Sequence, residues 1–142
     1  MTIIVAITFL AVVSQSFVNA APLTIVEDSQ PRATIIVAQE DPRAPDAAKA
    51  LQKYIEKMSR ATLDIIEEGD EPSQKIGIYV GHTQRAAEEG IDIPSWHDAS
   101  VRDDAFNEEA YILKTKDTDI FVGGNSDGPY IGVQYGAYAL LD

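Results

Sequence analysis

The sequence predicts an α/β (α+β) domain: a single mixed sheet packed by two main helices. Three observations lead there. Short β-branched runs recur along the chain, a long amphipathic helix pattern fills the stretch from Asp41 to Arg60, and Gly128–Leu141 forms an uncharged, helix-like ending. The order read from these patterns is ββ–α–ββ–(α)–ββ–α, which is not the strict βαβα alternation of a doubly wound fold.

The front of the chain is set apart from the fold. Thr2–Val13 is apolar, and Val18–Asn19–Ala20 offers the small residues of a secretory cleavage site before Ala21. The run is shorter than the roughly 20 apolar residues a spanning helix needs. No Lys or Arg precedes it, a departure from the usual export signal. The expectation is a signal peptide over residues 1–20 and an exported domain, periplasmic or extracellular, over 21–142; the alternatives for the run are an uncleaved membrane anchor and a buried first strand. All 23 acidic and 11 basic residues lie beyond Ala20, so the net charge of −12 belongs to that domain. Such a charge repels phosphate backbones and anionic lipid, which argues against nucleic-acid partners and against membrane binding once the signal is removed. There is no cysteine, so the fold rests on its hydrophobic core.

Each element has its own signal. Leu23–Glu27 and Ala33–Ala38 read as two short strands split by a turn containing Pro31. In the following helix Ala47, Ala50, Leu51, Tyr54, Ile55 and Met58 form one stripe, with Asp41, Pro42, Pro45 and Asp46 at its start and Lys57 and Arg60 at its negative end. Thr62–Glu67 is a strand, as is Lys75–Val80, where Ile76, Ile78 and Val80 share a face. Gly81 turns the chain into a short helix at Thr83–Glu89, and Ile91–Asn107 is a long loop. Glu109–Thr115 and Asp119–Gly123 flank the turn Lys116–Asp117–Thr118 as a hairpin, and the helix from Gly128 closes the chain.

The residue inventory gives little chemistry. Cysteine nucleophiles are excluded, only His82 and His97 are present, and no G-x-S-x-G elbow occurs; Ser126 sits on a turn without an obvious base. The histidines lack zinc-ligand spacing, and Asp117 and Asp119 read as turn residues. The turn Gly123–Gly128 lacks the ending of a phosphate loop, and Asp127 would oppose a phosphate there. The acidic pairs Glu67/Glu68, Asp70/Glu71, Asp103/Asp104 and Glu108/Glu109 point to opposite strand faces or fall in polar loops. No catalytic residue, metal ligand or cofactor is therefore expected. Trp96 is the candidate substrate-binding residue, by stacking on a sugar ring, although capping the core is the commoner role for such a residue.

The closing helix carries the sharper expectation. Gly128, Gly132 and Gly136 recur every four residues, and each interior glycine costs about 1 kcal/mol relative to alanine unless another backbone approaches closely. Tyr130, Val133, Ala137, Leu140 and Leu141 make one apolar stripe; Ile131, Tyr135, Tyr138 and Ala139 make a second. A helix apolar on two sides needs cover on both. The sheet covers one, and Tyr130, Ile131, Tyr135 and Tyr138 are expected to meet a further domain.

These segments together resemble a known group. "DAAKALQKYIEKMSRATLDII", "KIGIYVGHTQRAAEEGID" and "EEAYILKTKDTDIFVGGNSDGPYIGVQYGAYALLD" look like the N-terminal, non-catalytic domain that precedes the barrel of alpha-glucuronidases, beta-hexosaminidases and related exported glycoside hydrolases. The resemblance spans Pro22–Asp142 and is nearest the alpha-glucuronidase type; Pro129 and Ile131 depart from the usual pattern. It implies a hexosaminidase domain 2-like fold and, as partner, a catalytic (β/α)-barrel normally C-terminal to it. The family's catalytic carboxylates lie on that barrel, so none is carried onto this chain. The alternatives are an independent carbohydrate-binding or assembly module using Trp96 and the 91–107 loop, and a small stand-alone hydrolase.

Overall fold

The computed structural model describes residues 22–95 and 108–142. The described chain begins in a small antiparallel hairpin, β1 (Val26–Glu27) and β2 (Gln30–Pro31), turned by Asp28 and Ser29 at φ of 50° and 58°. The strand expected over Leu23–Glu27 thus closes on its own tight turn and pairs outside the main sheet. Pro31 lacks an N–H and suits this edge position.

The main sheet has five strands, β3 (Ala33–Val37), β4 (Ile65–Glu67), β5 (Ile76–Val80), β6 (Tyr111–Lys116) and β7 (Asp119–Gly124), in the order β4-β3-β5-β7-β6. The first four positions in that order are parallel, and β6 runs antiparallel to β7. Every residue of β3 is buried, which is why "ATIIV" is continuously apolar apart from Thr34: a central parallel strand has both faces covered. Two pairs of consecutive strands are neighbours in this sheet: β3 and β4, parallel across the α1 connection, and β6 and β7, antiparallel as the expected hairpin, with Asp117 at φ 54° in its turn.

Three helices occupy the described residues: α1 (Ala44–Ser59), α2 (Gln84–Glu88) and α3 (Gly132–Leu141). The chain is therefore a mixed α+β domain with one mixed five-stranded sheet and a minor two-stranded one. Helices α1 and α3 cover the same face, where Ile35, Val37, Ile78, Val80, Ile120 and Val122 meet Leu51, Ile55, Val133 and Ala137. On the opposite face Ala86 of α2 and Ile91 pack with Phe121, backed by Tyr79, Ile93 and Ile112. Tyr79 and Phe121 stack there at 5.3 Å between centroids.

Two local expectations need correction. The buried arc of α1 is Ala44, Ala47, Ala48, Leu51 and Ile55, while Tyr54 and Met58 are exposed. The sequence stripe is wider than the arc the sheet can cover, and these two residues fall at its outer margin. Helix α3 begins at Gly132 and not at Gly128, because Gly128 adopts φ +55° in a turn and precedes Pro129, which disfavours helix at the residue before it. The chain is drawn into α3 by Asn125, fully buried. Its N–H donates to the Ala110 carbonyl, its carbonyl accepts from Gly132, and its side-chain oxygen accepts from the Asp127 N–H.

The contact made by the glycines is direct. A Cβ on Gly124 would stand 2.3 Å from the Gly132 carbonyl carbon, and one on Gly132 would stand 2.4 Å from the Ala110 oxygen. Backbone rests on backbone where α3 starts. Gly136 is looser, with nearest atoms at 3.2 Å. The functional ridge is thus Gly124, Gly132 and Gly136, and it is turned to the domain's own sheet.

Candidate functional site

Two features of the molecule are candidates: a polar cluster at the carboxyl ends of the parallel strands, in which Asp41 and Ser126 are buried and His82 is exposed, and the outer surface of the helix layer. The first begins with Asp41, between β3 and α1. One carboxylate oxygen accepts from the N–H groups of Arg43 and Ala44 at 3.0 and 3.2 Å, satisfying donors at the start of α1. The other accepts from the His82 N–H at 3.1 Å and lies 3.0 Å from His82 Nδ1. Ser126, which follows β7, stands beside Asp41, and its hydroxyl donates to the Gly124 carbonyl at 3.4 Å. Gly81 makes this approach feasible, since it holds φ +89° and a Cβ there would meet Asp41 Oδ2 and the Ala44 Cβ at 2.7 Å.

The electrostatics follow from that geometry. Burial alone pushes the Asp41 carboxyl up, but the His82 side chain, the nearby Ser126 hydroxyl and the N–H groups of Arg43 and His82 outweigh it and hold it below its ordinary value. The carboxylate in turn pushes the His82 imidazole above its ordinary range against partial burial, with the Pro94 carbonyl adding to the effect. Sequence reading missed this cluster because its members lie 41 and 85 residues from Asp41; the only local hints are Asp41 ahead of a helix start and His82 after a strand-end glycine.

Serine, histidine and aspartate are thus brought together, but in the wrong order for nucleophilic catalysis. A triad needs the serine hydroxyl on the imidazole and the imidazole on the carboxylate. Here Asp41 is the hub, bonded directly by His82, while the Ser126 hydroxyl donates to the Gly124 carbonyl. The arrangement ties three loops together and leaves no activated hydroxyl. Among the described residues no group of three or more His, Cys, Asp or Glu side chains is placed to hold a metal ion. No helix of those residues is long and apolar enough to cross a membrane.

The second feature is the helix layer. Six large hydrophobics are exposed among the described residues: Tyr54 (41%), Met58 (64%), Tyr111 (48%), Leu113 (38%), Tyr135 (44%) and Tyr138 (46%). Four lie on α1 and α3. The other two lie on β6, paired with Gly124 and Val122, residues whose facing side is the one under α1 and α3. All six therefore project on the helix side of the sheet. The opposite side is stitched by ion pairs instead, Arg85 with Glu89 and Asp119, and Lys116 with Glu89.

Tyr54 and Tyr138 join α1 to α3 edge to face, 6.5 Å between centroids and 79° between planes. Beside them an open hollow of about 290 Å³ is lined by Tyr54, Met58, Tyr138, Leu141 and Asp142. A second, of about 200 Å³, shares Met58 and Leu141 and extends to Ile25, Val26, Ile55 and Leu140.

Of the residues expected to meet a neighbour, Tyr135 and Tyr138 stand exposed on this surface. Tyr130 and Ile131 lie half-buried in the turn before α3, where Tyr130 hydrogen-bonds Glu108 and the Ile131 N–H donates to Glu109 at 3.0 Å. Trp96 lies outside the described residues, as does the expected signal peptide. No protein-family model matches the chain, and no curated protein matches it.

Proposed function

We propose that this chain is the non-catalytic N-terminal accessory domain of an exported glycoside hydrolase of the alpha-glucuronidase type, with a hexosaminidase domain 2-like fold. Its helix layer braces the catalytic (β/α)-barrel. The observation that carries the reading is the one-sided distribution of exposed apolar side chains: Tyr54, Met58, Tyr111, Leu113, Tyr135 and Tyr138 all lie on the helix side of the sheet. An acidic domain gains nothing in water from such a surface, whereas a docked neighbour would bury it. The Asp41 cluster supports the non-catalytic part, because its hydrogen bonds are spent on holding loops.

The two alternatives differ in where they place the work. A sugar-binding module would place its contact at Trp96, outside the described residues. A stand-alone hydrolase would need an opposed carboxylate pair.

Reading the coding sequence beyond the Asp142 codon tests the proposal. An in-frame barrel carrying its own acidic residues is expected, and the isolated chain should turn over no aryl glycoside. A frame that encodes no barrel, or turnover by the isolated chain that single carboxylate substitutions abolish, would overturn it.

A further inference from the structure

We infer that the helix layer docks a protein surface with an apolar centre and an acidic rim. This rests on the reading of that layer as a docking face and adds the chemistry of what it meets. The charge pattern of α1 is the starting point. Lys49, Lys53 and Lys57 recur every four residues along its outer side, and Arg60 follows at its end, against Asp46 and Glu56. Helix α3 contributes no charged residue at all between Gly132 and Leu141. The helix layer is therefore locally basic in a chain whose net charge is −12.

The lysines are attached to the apolar patch. Lys57 Nζ stands 5.3 Å from the Tyr54 ring centroid and Lys53 Nζ 5.9 Å, so both ammonium groups sit over the aromatic that forms one wall of the larger hollow. Their stems extend the apolar surface while their heads frame it. The two hollows, about 290 and 200 Å³, are open to solvent and mostly apolar in their lining. A partner that fills them with aliphatic or aromatic side chains brings its flanking groups within reach of Lys53 and Lys57. Acidic flanks gain from that approach and basic flanks are repelled, so the charge selects partner and register while the apolar contact supplies most of the affinity. Asp142, on the far wall of the larger hollow, is the one acidic group lining it among the described residues and confines the acid preference to the α1 side.

The test uses two helical peptides with the same Leu/Phe stripe at i and i+4, one flanked by glutamates and the other by lysines. Binding to the full chain is followed by calorimetry and by ring-proton shifts of Tyr54 and Tyr138. The Glu-flanked peptide is expected to bind about tenfold or more tighter at low salt, with the gap closing as ionic strength rises. The variant Lys53→Glu/Lys57→Glu, altered only at exposed positions, should invert the preference with an unchanged circular dichroism spectrum. Equal binding of the two peptides, preference for the Lys-flanked one, no binding of either, or a preference the variant fails to invert would each overturn the inference. Equal binding beside a barrel-encoding frame removes the charge rule and spares the accessory role. A clear Glu preference without such a frame does the reverse.

Discussion

The junction of α3 with β7 is where a single methyl group should be felt most. In Gly132→Ala the new Cβ would lie 2.4 Å from the Ala110 oxygen, 2.7 Å from the Asn125 nitrogen and 3.1 Å from the Asn125 oxygen. All three are backbone atoms, so no rotamer change relieves the contact, and α3 must back away by about 1 Å to restore van der Waals distance. Overpacking of this kind costs about 1–3 kcal/mol. The helix-propensity gain of alanine over glycine, about 1 kcal/mol in a helix interior, is only partly realised at the first residue of α3. The net loss should lower the melting temperature by roughly 4–10 °C for a domain of this size.

Three comparisons separate crowding from other causes. Gly136→Ala, with its nearest contacts at 3.2 Å and a full interior propensity gain, should be close to neutral. Gly128→Asn should be mild, because φ +55° is tolerated by asparagine and no atom lies within 4 Å of a Cβ there. Gly124→Ala probes the same contact from the strand side, so the double variant with Gly132→Ala should lose less than the sum of the singles. Thermal and urea unfolding by circular dichroism read all four. A Gly132→Ala domain as stable as the parent, or one no less stable than Gly136→Ala, would refute close backbone docking of α3.

Other expectations follow from the same contacts. Asp41→Ala strips acceptors from the N–H groups of Arg43, Ala44 and His82 and should cost about 2–4 kcal/mol in urea unfolding. The same cluster sets a pH dependence. Asp41 is held below its ordinary value of 3.8, so its contribution is complete above that value and is lost as pH falls through the lowered one. His82 is held above 6.5, so its contribution is complete below that value and is lost as pH rises through the raised one. The stability advantage of the parent over His82→Gln should therefore be larger at about pH 5 than at about pH 9, and an advantage constant across that range would contradict the assignment. Glu68→Ala removes the carboxylate that accepts from the Gln84 and Arg85 N–H groups at 2.8 and 2.9 Å; α2 should fray, seen as faster amide exchange there, at a cost of about 1 kcal/mol. Leu51→Ala, fully buried under the sheet, should cost about 2–5 kcal/mol.

What could be read from the sequence depended on how local the cause was. Helix α1 was legible because its stripe, its prolines and its terminal charges all lie within twenty residues, and the β6/β7 hairpin because its turn chemistry is adjacent to both strands. The fate of Leu23–Glu27 was not, since pairing with a two-residue neighbour and joining a sheet demand the same β-branched residues. The start of α3 was misplaced by four residues because a glycine every fourth position fits a helix ridge as well as it fits a turn followed by one; only φ at Gly128 decides. Parallel order is a matter of which strands meet across the sheet, and β3 signals its central place only through burial of both faces. The exposure of Tyr135 and Tyr138 was legible because their stripe has no partner in the sequence. The grouping of Asp41, His82 and Ser126 was not, because the sheet brings them together from three separate loops.

Under the proposed accessory role, the helix layer is a buried interface against the catalytic barrel. Hydroxyl-radical footprinting of Tyr54, Met58, Tyr135 and Tyr138 tests it most directly, comparing the isolated chain with the full product of its gene. All four side chains should label readily in the isolated chain and be protected about fivefold or more in the full product, as expected for the centre of a well-packed interface. Labelling that is unchanged at these four positions would contradict the claim.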